Sequence, residues 1–453
     1  MPDEVVSGWL RDRAIGLDLE LELQHGLGDA ASEDDRALAG WAHALRRVTV
    51  LGLGEATHGT AQFTLVKSRL VRWLIERQGF SVLALEAGPS ACRALDAYIV
   101  SGHGDARSAL RATGYWVWST EEMVPLVEWL RDHNAGLDPD RQVRIVGIDP
   151  VLEADDLGRA TALVDEELPD LVDGVRAGLD ATWSAQRSVP PLRSLLVDSV
   201  RAALPGGRGH RDRPGAPLRR AHQVLTAATD ALRDRGVRPD RAGFGELVTA
   251  GHAAAVEAEA ALGARSTALR DAAMADRVAA LLTGPETRVV VWAHNGHVAD
   301  VDLGRNAPGM GRHLRTRVGE SYYSVGLLFA AGCFTALTAG GTGYGRLGRF
   351  CLRGARRGGL EDQLASLGGS DLLVDVRPAR TATQTAVRQW ARRRTSMRSY
   401  GSTIAWWPLL RRTTTPVRPG ADFDGLVLVR RSTPSTPVAP DPPPPTDHRS
   451  STG

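Results

Sequence analysis

The chain has 453 residues, of which 43% are hydrophobic and 24% are charged, and its formal net charge is +2. Both signs are spread along the sequence, so the charge does not indicate nucleic acid or an anionic membrane surface as a partner. No apolar run approaches the roughly 20 residues of a membrane span. The first residues also lack the basic and apolar regions of a secretory signal, and we therefore expect a cytoplasmic protein.

Hydrophobic periodicity predicts alternating strands and helices along the chain. Helical spacing of apolar residues predicts helices over 33–47, 60–78 and 119–134, the last with Ser119 and Glu122 in capping-box spacing. Short continuous apolar runs, typical of strands covered on both faces, occur at 48–53, 80–88, 142–150 and 287–297. This alternation predicts an α/β fold with a mostly parallel β-sheet flanked by helices.

The remaining segments predict how the chain is divided. An Ala-, Leu- and Arg-rich region predicts a helical insertion, and "PGGRGHRDRPGAP" predicts a flexible loop inside it. Further strands are predicted at 321–337, 371–376, 402–410 and 422–430. The predicted units are an amino-terminal segment (1–32), an α/β catalytic domain (33–335) with the insertion (153–283), a strand-rich carboxyl-terminal extension packing on the core (336–431), and a disordered Pro/Ser-rich tail (432–453).

The three cysteines predict no metal or redox motif. Cys92, Cys333 and Cys351 have no C-x-x-C spacing, and their number is odd. We expect reduced, packed thiols.

Ionisable side chains follow each of the four best strands. In chain order they are Glu55 and His58, Glu86, Asp149, and His294 with His297. The carboxyl ends of parallel strands lie along one edge of a sheet, where ligands bind, so we expect these residues to share a cleft. Asp149 stands before a proline and suits a turn equally well.

A histidine beside a carboxylate can activate water for attack on an ester carbonyl. The sequence has no G-x-S-x-G nucleophile elbow, and no cysteine lies in the cluster, which favours direct attack by water. Glu, His and Asp are also ligands of zinc and manganese. A metal-dependent hydrolase with Glu55, His58, Glu86 and His294 as ligands is therefore an alternative.

Two neighbouring features suggest contacts with a substrate. Lys67 is the only lysine in the chain, and its place on the first helix after the cleft would let it polarise a carbonyl or keep Glu86 ionised. Tyr115, Trp116 and Trp118 would form an aromatic wall for a large apolar substrate, or pack under the sheet.

Six motifs resemble the erythromycin esterase family in order and spacing across residues 45–335. They are "GEATHGTAQF" with Lys67, "LALEAG", "WLRDHN", "VGIDP", "RDAAMADRV" and "VWAHNGHV". The resemblance implies an α/β fold with helical additions and hydrolysis of a macrolide lactone by water that a histidine activates. His58 would then be the general base, with Glu55, Glu86 and His294 as its neighbours, while His297, Lys67 and Arg270 would complete the cleft.

The sequence departs from the family pattern at Gln62, where an acidic residue is commoner, and this leaves the substrate open. The prediction is a carboxylic-ester hydrolase acting on a macrolide or similarly bulky small molecule, and thus able to inactivate macrolide antibiotics. No cofactor is expected to be required, a divalent metal being the alternative. A protein that binds a small molecule in the same cleft without catalysis is the third hypothesis.

Overall fold

A computed structural model describes residues 3–17, 31–188, 215–261, 266–301, 308–340, 343–404 and 414–439. Most of the predicted loop at 205–217 and the last fourteen residues of the predicted tail, 440–453, lie outside these described residues, as does the greater part of the strand predicted at 402–410.

The described strands, in chain order, are β1 (Ala14–Leu17), β2 (Val50–Leu53), β3 (Val82–Leu85), β4 (Arg144–Gly147), β5 (Val289–Trp292), β6 (Tyr322–Gly340), β7 (Gly343–Leu352), β8 (Asp371–Asp375), β9 (Thr395–Arg398), β10 (Thr403–Ile404), β11 (Thr414–Val417) and β12 (Gly425–Ser432).

The described α-helices are α1 (Glu4–Arg11), α2 (Ala31–Leu45), α3 (Ala61–Gln78), α4 (Arg93–Ser101), α5 (Ala106–Ala112), α6 (Val124–Asn134), α7 (Ala154–Glu167), α8 (Val172–Arg187), α9 (Ala216–Asp234), α10 (Phe244–Ala260), α11 (Ser266–Ala280), α12 (Asn295–Val298), α13 (Met310–Val318), α14 (Leu360–Ala365), α15 (Thr385–Arg392) and α16 (Pro419–Asp422). None of them combines the length and the hydropathy that a bilayer-crossing helix needs.

One large sheet organises the molecule, with strand order β1-β8-β12-β6-β2-β5-β3-β4. From β12 to β4 every neighbouring pair is parallel. β8 and β1 extend the sheet with antiparallel pairing, and β7 and β10 pair with the long β6. The predicted fold class is therefore confirmed, including the carboxyl-terminal strands. Of these, β7, β8, β10 and β12 join the large sheet, while β9 and β11 form a separate two-stranded antiparallel sheet.

Both faces of the central strands are buried, which explains their continuous apolar sequences. Along β2, Leu51 and Leu53 pack into one apolar cluster while Val50 packs into another on the opposite face. Along β5 the same alternation places Trp292 with the first cluster and Val291 with the second. The helices α7 to α10, inserted between β4 and β5, form a third apolar cluster of their own.

Three local expectations were wrong. Cys333 and Cys351 are opposite each other on β6 and β7 and form a disulfide, so only Cys92 is a buried free thiol among the three. The first eight residues of the predicted tail, 432–439, are ordered against the rest of the molecule, as described below. The capping box does not form, because the side chain of Glu122 accepts from the backbone N–H of Thr436 instead.

Candidate active site

The polar residues that follow the parallel strands meet at one edge of the sheet. β2 leads into Glu55 and His58, and the neighbouring β5 leads into His294 and His297. The ring centroids of His58 and His294 lie 5.3 Å apart, and those of His294 and His297 lie 6.4 Å apart. β3 and β4, next in the sheet, carry Glu86 and Asp149 to the same edge.

Glu55 binds His58 on one carboxylate oxygen and Lys67 on the other. Its Oε1 lies 2.7 Å from Nδ1 of His58, and its Oε2 accepts from Nζ of Lys67 at 2.6 Å. Trp292 also donates its indole N–H to Oε2, at 3.2 Å. Lys67 is completely buried, with Nζ 4.8 Å from the centroid of the Trp292 ring. These contacts hold Glu55 in one orientation toward His58.

The charges of this group follow from burial and pairing. Burial alone would raise the pKa of Glu55, but the cation of Lys67 and the ring of His58 outweigh it and lower the pKa to about 2. Burial lowers the pKa of Lys67 to about 8, and Glu55 opposes that shift. Glu55 is therefore a carboxylate at neutral pH.

The carboxylate determines which nitrogen of His58 is protonated. Because an ionised Glu55 only accepts hydrogen bonds, Nδ1 of His58 must donate to it, which leaves Nε2 of the neutral ring with its lone pair. The side chain of His58 is 11% exposed, so this pair is nearly shielded from solvent. A histidine with a carboxylate behind it is the arrangement of a general base.

His294 is held as the opposite tautomer. Its Nδ1 accepts from the backbone N–H of Gly296 at 3.1 Å, so Nε2 carries the proton and donates to the carbonyl of Tyr400 at 3.1 Å. Burial, together with the nearby ring of His58, lowers the pKa of His294 to about 3. His294 is therefore a neutral hydrogen-bond donor next to His58.

Arg270 joins the two carboxylates from β3 and β4. It donates Nε–H and Nη2–H to Asp149, at 2.8 and 2.6 Å, and Nη2–H to Glu86 at 2.8 Å. Burial would raise the pKa of Glu86, but His297 and Arg270 outweigh it and hold that pKa well below its usual range. The other oxygen of Glu86 accepts from the backbone N–H of His294 at 2.8 Å. Glu86 thus fixes the backbone that follows β5 as well as the guanidinium of Arg270.

Asp271, which sequence reasoning missed, is the partner of His297. Its Oδ1 lies 2.5 Å from Nδ1 of His297, whose Nε2 lies 3.2 Å from Glu86. Burial would lower the pKa of His297, but these two carboxylates outweigh it and raise the pKa to about 10. Asp271 is fully buried, and its Oδ2 has no hydrogen-bond partner among the described residues. The only sequence signal was its position beside Arg270 in "RDAAMADRV".

Two residues predicted to contact the substrate, Trp118 and Lys67, are buried. Trp118 is 3% exposed and packs edge-on against Trp292 in the core, so it supports Trp292 rather than lining the cleft. Lys67 is fully buried against Glu55, and the ion-pair partners of Glu86 are Arg270 and His297.

The glycines of "GLGEATHG" allow close approach of other elements. A Cβ atom on Gly59 would lie 2.1 Å from the carbonyl oxygen of Thr335 in β6, and one on Gly54 would lie 2.1 Å from Oδ1 of Asn295. Asn295 in turn exchanges two hydrogen bonds with the backbone of Leu327. The turn that carries Glu55 and His58 is therefore packed tightly against β6 and α12.

Apart from Nε2 of His58, the donor atoms of the predicted metal ligands are engaged by protein partners. Both oxygens of Glu55 and of Glu86, and both ring nitrogens of His294, already have the partners given above. Within the described part of the chain, no three His, Cys, Asp or Glu side chains are grouped in a way that could hold a metal ion. This donor set does not fit the metal-dependent alternative.

Comparison with known proteins agrees with this architecture. A family model described as erythromycin esterase matches residues 75–432. The matched range begins after His58 and Lys67. It includes the carboxyl-terminal strands, a region in which the sequence motifs showed no resemblance to the family. A solved structure of a mutant of the erythromycin esterase EreC in its open conformation superposes with a TM-score of 0.63 at 17% identity, covering 92% of this chain and 98% of that one.

Two curated relatives match shorter parts of the chain. The erythromycin esterase type I of Escherichia coli is 24% identical over 288 residues, covering 59% of this chain and 67% of that protein. A putative hydrolase of Bacillus subtilis, YbfO, is 29% identical over 111 residues, and the match spans only 24% of each protein.

Proposed function

Because this chain belongs to the erythromycin esterase family, we propose that it is a hydrolase that cleaves a macrolide lactone or a similarly bulky carboxylic ester with water activated by His58. The observation that carries the proposal is the 2.7 Å contact between Nδ1 of His58 and Oε1 of Glu55, which leaves Nε2 of His58 as a base. The name of the E. coli relative supports the choice of a macrolide as the first substrate to test.

In the proposed reaction, Nε2 of His58 takes a proton from water as the water oxygen bonds to the ester carbonyl carbon. The ionised Glu55 stabilises the imidazolium that results, because its own pKa is lowered to about 2. The tetrahedral intermediate then breaks its bond to the alkoxide, and the imidazolium of His58 returns the proton to that oxygen. A cyclic ester would open to a hydroxy acid.

The oxyanion of the intermediate needs a hydrogen-bond donor, and His294, whose ring centroid lies 5.3 Å from that of His58, is a neutral donor beside it. Its Nε2–H now donates to the carbonyl of Tyr400 at 3.1 Å. In the proposal, the carbonyl oxygen of the substrate replaces that of Tyr400 as the acceptor. Removing one such donor typically costs about 10²–10³-fold in turnover.

Arg270 and the acidic residues around it would bind and orient the substrate rather than transfer protons. The side chain of Arg270 is 28% exposed, although Asp149 and Glu86 take three of its hydrogen bonds. His297 lies between Glu86 and Asp271 and is held as a cation. A base at His297 is therefore not part of the proposal.

The test is incubation of the purified full chain with a panel of macrolides, simple lactones and aryl esters, followed by mass spectrometry. If the proposal is right, at least one lactone gives a product heavier by one water, and the His58→Ala variant forms that product about 10²–10⁴-fold more slowly. If macrolides bind saturably but no ester in the panel is hydrolysed, the proposal fails and the non-catalytic binding hypothesis replaces it.

A further inference from the structure

Residues 433–439, which follow β12, cross the turn that carries His58 and are called here the carboxyl-terminal strap. The strap makes two antiparallel bridges, one between Pro434 and Thr60 and one between Pro437 and Thr120. It begins where β12 ends at Ser432 and runs to Ala439, whose carbonyl accepts from the guanidinium of Arg111. The composition of this segment predicted disorder, so its fixed course needs an explanation.

The first half of the strap holds the residue next to the proposed base. The carbonyl of Gly59 accepts from the backbone N–H of Ser435 at 3.0 Å and from that of Thr335 in β6 at 2.8 Å. Thr335 also donates its hydroxyl to the carbonyl of Ser435, at 3.3 Å. Because Gly59 follows His58 directly, β6 and the strap together fix the end of the turn.

Gln62 fastens the start of the strap to the first turn of α3. Its Oε1 accepts from the backbone N–H of Thr433 at 2.6 Å, and its Nε2 donates to Oγ1 of Thr433 at 2.9 Å. Ala61 adds a backbone bond to the carbonyl of Thr433 at 3.0 Å. The departure from the family pattern at Gln62 therefore concerns the strap and not a charge facing the substrate.

The second half of the strap holds the segment that supports Glu55. Glu121 donates its backbone N–H to the carbonyl of Thr436 at 2.8 Å, and Val438 donates to the carbonyl of Ser119 at 3.0 Å. The residue before Ser119 is Trp118, which packs at 5.8 Å against Trp292. Trp292 donates to Glu55 at 3.2 Å. Both halves of the strap thus lead to the His58–Glu55 pair.

We propose that the carboxyl-terminal strap is a positioning element for the reaction, and that the hydrogen bond from Ser435 to Gly59 sets the distance between His58 and Glu55. The inference rests on the proposed function in that His58 is the base. No strap residue contacts the reacting atoms, so the strap acts through the geometry of the turn alone.

The test compares two neighbouring proline substitutions within the strap. Ser435→Pro removes the N–H that binds Gly59. At the exposed Thr436, Thr436→Pro removes the N–H that binds the half-buried side chain of Glu122 but leaves the bond between Ser435 and Gly59, and so serves as the control. We expect Ser435→Pro to lower kcat by about ten- to a hundredfold with little change in KM, since small displacements of a catalytic group are costly. Thr436→Pro should stay close to the parent.

A second readout does not depend on activity. The Nδ1–H proton of His58 bound to Glu55 should give a low-field proton resonance, assigned by its loss in His58→Ala. We expect Ser435→Pro to shift or broaden this resonance and Thr436→Pro to leave it unchanged. An unchanged resonance and kcat in Ser435→Pro would overturn the proposal. If the parent hydrolyses no ester, the proposed function fails, and the resonance alone decides whether the strap positions His58.

Substitutions of Gln62 cover the case in which Ser435→Pro does not fold. Gln62→Ala removes the side-chain hydrogen bonds to Thr433. Gln62→Glu keeps two oxygens that can accept from the backbone N–H and from the hydroxyl of Thr433. We expect the alanine variant to reproduce the change in kcat and in the His58 resonance, and the glutamate variant to restore both. Equal behaviour of the alanine and glutamate variants would count against the strap.

Discussion

Nζ of Lys67 lies 2.6 Å from Oε2 of Glu55, and the two side chains are 0% and 6% exposed. A buried ion pair of this kind loses far more when one partner is removed than an exposed pair does, because the remaining charge is left without compensation. Glu55 meets His58 with its other oxygen, so Lys67 controls the group that orients the proposed base.

Removing the cation should therefore cost both stability and turnover. We expect Lys67→Met to lower the free energy of unfolding by about 3–5 kcal/mol, because Glu55 would remain buried without its counter-charge. The pKa of Glu55 should also rise, which weakens its support of His58 and lowers kcat. Urea unfolding and steady-state kinetics measure the two effects. The exposed Arg357→Met is the control, expected to stay within about 0.5 kcal/mol; a Lys67→Met protein as stable as this control would contradict the role of the pair.

The second prediction concerns His58 itself. We expect His58→Ala to lower kcat on any ester that the chain hydrolyses by about 10²–10⁴-fold, the usual contribution of a general base. His103→Ala, which alters an exposed histidine outside the site motifs, should keep full activity. Comparable activity in these two variants, measured by mass spectrometry of the product, would remove His58 from the mechanism.

The third prediction follows from the pKa of His297, which its acidic neighbours raise from the usual 6.5 to about 10. A group whose pKa is higher in the folded state stabilises the fold fully below its unfolded pKa and loses that effect as the pH rises through the folded value. The groups that face His297 are Glu86, Asp271, Arg270 and His294.

Asp271→Asn should remove part of this stabilisation. We expect the unfolding free energy of the variant to lie about 1–3 kcal/mol below that of the parent when His297 is protonated. This difference in unfolding free energy should narrow as the pH approaches about 10, where His297 of the parent loses its proton. Urea unfolding across this range measures the gap, with the exposed Asp240→Asn as control. A gap that does not change with pH would show that Asp271 has only a packing role.

The fourth prediction tests the close approach at Gly59. A Cβ atom there would lie 2.1 Å from the carbonyl oxygen of Thr335, so Gly59→Ala must displace the turn that follows His58. We expect a loss of kcat of at least tenfold, on the order expected for a misplaced catalytic group. Gly158→Ala in α7, where a Cβ meets nothing within 4 Å, should leave kcat unchanged and raise stability by up to about 1 kcal/mol. Retained activity in Gly59→Ala would show that the turn tolerates displacement.

The fifth prediction addresses metal dependence. Since the donor atoms of Glu55, Glu86 and His294 are bound by protein groups, we expect activity to survive prolonged dialysis against a chelator. Loss of activity with the chelator, followed by recovery when zinc or manganese is added back, would favour the metal-dependent reading instead.

Much of the fold could be predicted because the signals are local. The apolar runs of β2, β3 and β5 have the length and composition of strands buried on both faces, and these strands lie inside the predicted ranges. Parallel pairing then places residues that follow the strands along one edge, which is why Glu55, Glu86 and His294 could be grouped from sequence.

The partners within the site could not be predicted in the same way. Lys67 binds Glu55 and not Glu86, and Asp271 on α11 binds His297, because the distances between helices and strand ends depend on how the layers pack. The order of the strands in the sheet also could not be predicted from the sequence. β5 lies between β2 and β3, and this order brings His294 next to His58. The disulfide between Cys333 and Cys351 depends on the register of β6 and β7.

The sequence by itself determined the strands, the helices between them and the kinds of side chain that follow each strand, since these depend on periodicity and residue type along a few turns of chain. Only the tertiary structure decided which carboxylate pairs with which cation. It also decided that the segment after β12 crosses the turn that carries His58. Some of these pairings join residues more than a hundred positions apart, as Arg270 with Glu86 and Asp149. Even the nearer pair of Lys67 and Glu55 depends on how α3 packs against the end of β2.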